Sequence, residues 1–160
     1  MIISLFFVHE DNTYIHNFLI QDDVLWFPLN MDFRGRVYPI PSYLNHIGAD
    51  LPRSLLLFAK GKPLGKEGFE WLKLHCINLT GKLKKESIAS RMEYFEQNID
   101  LILDSAENPL DGKKWWLESD EPWQTLSVCY EIKKALQCKD GPEHYVSHVP
   151  IHQVDIFHVW

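Results

Sequence analysis

The hydrophobic positions fall into blocks separated by proline and glycine. Between Lys66 and Leu79, residues Phe69, Leu72, Cys76 and Leu79 recur at helical spacing, and Gly81 follows as a C-cap. From Ser87 to Ala106, residues Ile88, Met92, Phe95, Ile99, Ile102 and Leu103 keep the same period. Pro109 and Gly112 mark the loop after it, and Pro122 sits near the start of a further helix, Trp123 to about Gln137. An earlier helix is predicted from Asp50, its N-cap, through Pro52 in the first turn to Gly61, with Leu55 to Ala59 as its apolar face. Phe33 to Tyr38 alternates bulky and charged residues, the pattern of a strand or a tight strand-entry turn, and Pro39 and Pro41 stop it. Tyr145 to His152 alternates and predicts a strand. Of the adjacent Trp115 and Trp116, one is expected to be buried and the other to face a surface or interface. Four helices with short strands predict an α+β, mainly α fold.

The chain has 160 residues, and its 46% hydrophobic and 24% charged content is ordinary for one globular domain. That excludes disordered and fibrous classes. No apolar run approaches the roughly 18 residues of a membrane span. Met1 to Val8 is apolar but lacks the positive n-region of a signal peptide, and no Arg-rich import signal precedes Val24. Cys76, Cys129 and Cys138 are odd in number and form no C-x-x-C, which favours a reducing compartment over disulfides or a cysteine zinc site.

Charge changes the picture when it is divided along the chain. The net charge is −6, which excludes a globally basic nucleic-acid binder. Yet residues 32–85 hold ten Lys and Arg against four Asp and Glu, while residues 86–160 hold six against fourteen. Basic groups concentrated in one stretch are the footprint of a phosphate-rich partner, or else a solvated face balanced by the acidic C-terminal half. Within that stretch, Asp32-Phe-Arg-Gly-Arg is the most distinctive chemistry. Arg34 and Arg36 flank Gly35, guanidiniums suit bidentate phosphate contacts, and Asp32 is placed to orient an arginine by ion pairing.

Other motifs carry less. Lys60-Gly-Lys-Pro-Leu-Gly-Lys departs from the phosphate-loop pattern, since Glu67 follows Lys66 and Gly61 is one position too close. His144, His148 and His152 are four apart, but on a strand they lie roughly 13 Å from first to second, too far for one metal. Asp100 and Asp104 share a helix face and are expected to be solvated. No catalytic residue and no metal ligand is assigned.

Read in order, these segments resemble single-subunit, bacteriophage-type DNA-dependent RNA polymerases. The resemblance lies in Phe27-Pro-Leu-Asn-Met-Asp-Phe-Arg-Gly-Arg-Val-Tyr-Pro, which is similar to the family's D-x-x-G-R region, and in Leu57-Phe-Ala-Lys-Gly-Lys-Pro-Leu-Gly-Lys-Glu-Gly. Trp71-Leu-Lys-Leu-His, Asn78-Leu-Thr-Gly, Trp115-Trp116, Glu121-Pro-Trp-Gln-Thr-Leu and Val146-Ser-His-Val-Pro-Ile-His-Gln follow in family order. The wording is nearest the mitochondrial branch and covers about residues 24–153, leaving residues 1–23 and 154–160 unmatched.

The resemblance implies a partial palm region, in a family that copies a DNA template into RNA from nucleoside triphosphates with two Mg2+ held by two aspartates. It implies contact of Asp32, Arg34, Gly35, Arg36 and Arg53 with the template and RNA–DNA hybrid, and looser proximity of Lys84 to the incoming triphosphate. It also implies a mitochondrial location and an encounter with mitochondrial transcription factors. The sequence departs from the family after Gln153. There Val154-Asp155 stands in place of the metal-binding Asp-Gly-Ser-Cys, so a truncated fragment without catalytic activity of its own is expected. A non-catalytic nucleic-acid-binding module and a helical scaffold fragment are the alternatives.

Overall fold

The computed structural model describes residues 24–151. The elements run β1 (Leu29–Met31), β2 (Val37–Pro39), α1 (Asp50–Leu55), β3 (Lys62–Pro63), α2 (Gly65–Thr80) and α3 (Ile88–Glu107). A 3-10 turn at Trp115–Glu118, α4 (Pro122–Leu136), a second 3-10 turn at Pro142–His144 and β4 (Val146–Ser147) complete them. Two antiparallel two-stranded ribbons, β1–β2 and β3–β4, flank the helices. The expected mainly α architecture with short strands is therefore present.

The core lies where α2, α3 and α4 meet. Leu72, Cys76, Ile77 and Leu79 of α2 pack with Phe95, Ile102 and Ala106 of α3 and with Val128, Cys129 and Ile132 of α4. Ile102 and Ile132 are wholly buried, each contributing about 1.5–3 kcal/mol of transfer free energy. The helix ends follow local rules. Gly81 takes φ +74° and closes α2, and the Ser87 hydroxyl accepts the Ser90 N–H at 3.2 Å to open α3.

Several sequence expectations are corrected. The first helix stops at Leu55 rather than Gly61, because Leu56 turns extended and drives its side chain into the core. Phe58 then donates its N–H to the His148 carbonyl at 2.8 Å. Gly61 accordingly ends no helix. A Cβ there would strike the side chains of His148 and Val146, so glycine permits that close approach. The last strand is limited to Val146–Ser147, since its partner Lys62–Pro63 is equally short. His144 lies in the second 3-10 turn instead, and His152 lies outside the described residues. Trp115 and Trp116 are both buried; Trp116 stacks obliquely on Trp123 at 5.3 Å and donates its indole N–H to the Pro109 carbonyl. Asp104 is not simply solvated, for its carboxylate accepts the Lys113 N–H at 2.7 Å.

Asp50 is the most instructive case. Its side chain does not cap α1, where Ala49 is the N-cap. It reaches across to α4 and accepts the N–H groups of Trp123 at 2.7 Å and Gln124 at 3.0 Å, with the Gln124 side-chain amide on the same oxygen as the latter. These are the orphan donors at positions N2 and N3 of α4, so an acid far back in the sequence caps this helix and favours its dipole. Replacing Asp50 with alanine is expected to lower the unfolding free energy by about 1–2 kcal/mol, with Asp50→Asn losing less, as read from urea unfolding followed by circular dichroism.

Candidate nucleic-acid interface

The turn between β1 and β2 is built by its own sequence. Strand register pairs Met31 with Val37, leaving Asp32 to Arg36 as the connection. One Asp32 carboxylate oxygen accepts both the Arg34 N–H at 2.8 Å and the Arg36 N–H at 2.9 Å. The Gly35 N–H returns to the Asp32 carbonyl at 3.0 Å, and Gly35 adopts φ +78°. A residue with a Cβ is strained at that φ, although the space beside Gly35 is open. Asp32 therefore orders the backbone, and no ion pair among the described residues joins it to either arginine. That corrects the expected Asp32–arginine pairing: the carboxylate is committed to two main-chain donors and both guanidiniums stay available.

Arg34 and Arg36 are exposed at the tip of this ribbon. The Arg34 guanidinium stands 5.2 Å from the Phe33 ring centroid, and Phe33 itself is 93% exposed. Two cations and a solvent-facing aromatic ring are groups that contact phosphate and stack on bases. At the other end of the ribbon, Phe27 and Leu29 help line a cavity of about 390 Å³ with His46, Arg53, Leu56 and Phe58.

Arg53 is thus at the foot of the ribbon and away from its tip. Its side chain is only 21% exposed, its Nη1 lies 3.9 Å from the Glu121 carboxylate, and its Nε is buried without a hydrogen-bond partner. Lys84 stands elsewhere again, on the loop after α2, with its ammonium 2.7 Å from Asp120. Asp32, Arg34, Gly35 and Arg36 are brought together; Arg53 and Lys84 are not brought to them.

The basic segment divides by what its charges touch. Arg53, Lys73, Lys82 and Lys84 hold carboxylates. Lys73 sits between Glu70 and Glu96, each at 3.0 Å; burial alone would lower its pKa, but these two acids outweigh it and the pKa is raised. Arg34, Arg36, Lys60, Lys62, Lys66 and Lys85 are exposed and make no ion pair among the described residues. Among the described residues no three His, Cys, Asp or Glu side chains converge as a metal site.

Sequence reading missed the groups that fix the Lys84 loop. Arg91, on α3, donates from Nε to the Leu83 carbonyl at 3.0 Å, from one terminal nitrogen to the Lys84 carbonyl at 3.0 Å, and from the other to the Asn78 side chain at 2.8 Å. Its partners are seven to thirteen positions away and two of them are backbone atoms, so no residue pattern announces them.

The comparisons with known proteins fall on this framework. A family model described as DNA-dependent RNA polymerase matches residues 62–155. The chain belongs to that family. It is 55% identical over 134 residues to the mitochondrial DNA-directed RNA polymerase of Mus musculus and 52% identical over 134 residues to that of Homo sapiens, covering 84% of this chain and 11% of each relative. The Neurospora crassa mitochondrial enzyme is 53% identical over 133 residues, 83% of this chain and 9% of the relative. The chain thus spans about a tenth of the length of the curated relatives it matches.

The Lys82–Glu118 pair gives a sign-definite pH expectation. The hydrogen bond at 2.8 Å raises the Lys82 pKa and lowers that of Glu118. For Glu118 the favourable contribution is complete above the ordinary carboxylate range and is lost as pH falls through the depressed value. For Lys82 it is complete below the ordinary ammonium pKa and is lost as pH rises through the elevated one. Lys82→Met should return the Glu118 titration upward to the ordinary carboxylate range, as read by carbon NMR of the side-chain carboxyl.

Proposed function

We propose that this chain is a nucleic-acid-gripping portion of a mitochondrial RNA polymerase, with the β1–β2 turn holding the backbone of the DNA template and RNA–DNA hybrid. The observation that carries this reading is the turn itself. Asp32 spends its carboxylate on main-chain N–H groups, so the turn is rigid while Arg34 and Arg36 remain uncompensated and exposed. A bidentate guanidinium on a preformed turn loses little conformational entropy when it meets phosphate.

In the assembled polymerase the reaction is nucleotidyl transfer from nucleoside triphosphates, with Mg2+ supplying charge neutralisation at the transferring phosphate. Lys84 is the proposed contact to the triphosphate, and Arg53 supports the foot of the ribbon near the hybrid. The mitochondrion is the proposed location, following the names of the relatives, and mitochondrial transcription factors are the proposed protein partners of such an enzyme. Within these 160 residues the Asp-Gly-Ser-Cys metal motif does not occur, and the chain on its own is expected to give no magnesium-dependent extension of a primed template.

The test is fluorescence anisotropy of the full chain with a labelled RNA–DNA hybrid over a salt series. Binding should weaken as salt rises, and Arg34→Ala with Arg36→Ala should weaken it further and reduce the salt slope by about one per lost phosphate contact. Affinity independent of salt, or unchanged in the double variant, would reject the proposal.

A further inference from the structure

A cavity of about 260 Å³ lies between α1 and α4. Its walls are apolar: Leu55 of α1, the exposed loop residue Leu110, and Trp116 and Trp123, whose rings stack obliquely at 5.3 Å. One acid stands against these walls. Glu131 of α4 lines the same cavity and is only 7% exposed. Its Oε1 accepts the Ser147 hydroxyl at 2.8 Å. The Ser147 oxygen in turn accepts the Val149 N–H at 3.3 Å, so its single proton is committed to the carboxylate. Tyr145 donates to Glu131 as well; burial first, and then this carboxylate, push the tyrosine pKa up. Serine and tyrosine satisfy the oxygens but do not neutralise the charge. Among the described residues no cation forms an ion pair with Glu131. Lys134, three positions further along α4, lines the cavity too, but it is exposed and pairs with no acid there.

A buried carboxylate is costly unless a cation neutralises it. A concave, mostly apolar space with a few convergent polar groups is the form of a small-molecule site, and this one lies just under the usual range of about 300–1,000 Å³. The faces of its two tryptophans attract cations on their own account. We propose that the cavity between α1 and α4 binds a small organic cation, an amine with a flat apolar body. Its ammonium group pairs with Glu131, and its body lies against Leu55, Leu110 and Trp123. Ser147 and Tyr145 are the positioning residues, since they hold the carboxylate in place while leaving its charge uncompensated. Lys134 repels a second positive charge, so a singly charged amine suits the site better than a polyamine. The proposal goes beyond the nucleic-acid reading and uses neither the β1–β2 turn nor Lys84.

The test titrates the full chain with three indoles of similar shape: tryptamine, which is a cation at neutral pH, uncharged 3-ethylindole, and the anion indole-3-propionate. Binding is read by NMR of the backbone amide and tryptophan indole N–H signals. Tryptamine should shift the signals of Trp123 and Glu131 and bind about tenfold tighter than 3-ethylindole, the scale of one charge-assisted hydrogen bond. Indole-3-propionate should bind weakest. Glu131→Gln keeps the shape and removes the charge, and should bring tryptamine and 3-ethylindole to within about twofold of each other. Lys134→Met should tighten tryptamine about twofold and leave 3-ethylindole unchanged, the scale of one exposed charge. Because Lys134 is exposed, that variant carries the charge test if circular dichroism shows Glu131→Gln unfolded. Leu110→Ser, also at an exposed position, should weaken tryptamine and 3-ethylindole alike, by about threefold. Equal binding of tryptamine and 3-ethylindole, shifts confined to residues away from α1 and α4, or a cation preference that survives Glu131→Gln would overturn the proposal. So would an arginine-containing peptide that fills the cavity where tryptamine does not, or sedimentation showing self-association that Leu110→Ser abolishes, since the occupant would then be another protein surface. Arg34→Ala with Arg36→Ala should leave tryptamine binding unaffected, so a failure of the turn and a failure of this cavity are read separately.

Discussion

The contact in which Cys76 of α2, Ile102 of α3 and Ile132 of α4 are all fully buried sets the geometry of everything else. Close packing at that junction leaves each helix little freedom to slide or rotate. It places the C-terminus of α2, the N-terminus of α3 and the N-terminus of α4 at one end of the bundle. Arg91 reaches back to the loop after α2 there, and the segment before α4 bonds to Leu79 and Thr80. The Lys82 to Lys85 loop and its ion pairs are built on those helix ends, where backbone donors and acceptors would otherwise go unsatisfied.

Two aspartates show how the chain spends its acids. Asp32 and Asp50 both stand in the basic segment, the first expected to pair with an arginine and the second to cap its own helix. Each instead accepts from a pair of main-chain N–H groups, Asp32 within its own turn and Asp50 at the start of α4. The effect on the surface is opposite to that of Glu118 and Asp120. Acids engaged with backbone leave cations free, whereas acids engaged with lysines neutralise them. The difference between the β1–β2 turn, with Arg34 and Arg36 unpaired among the described residues, and the Lys84 loop follows from this division.

The described surface carries its largest exposed rings in one part of the fold. Trp26, Phe33 and Tyr43 are each at least 80% exposed, and they lie on or beside the β1–β2 ribbon rather than on the three-helix core. Scattered apolar exposure is ordinary, but three large aromatic rings exposed along one short ribbon make it the part of the described surface most suited to contact.

The long helices were legible in the sequence because their information is local. Helical spacing, the Gly81 cap and the Ser87 cap fix α2 and α3 to within a residue or two of where they lie. The identity of the family was legible too, through Asp32-Phe-Arg-Gly-Arg and the ordered segments after it. What depended on position in space was not. Leu55 to Ala59 reads as one apolar helix face, yet burial of Leu56 and pairing of Phe58 with His148 pull it extended. The sequence places Asp50 at a helix start, and only packing chooses which helix it caps. It supplies Arg91, Glu118 and Asp120 as ordinary surface charges, and only the fold brings them to the loop from Lys82 to Lys85, because side chains that meet across loops leave no period in the chain.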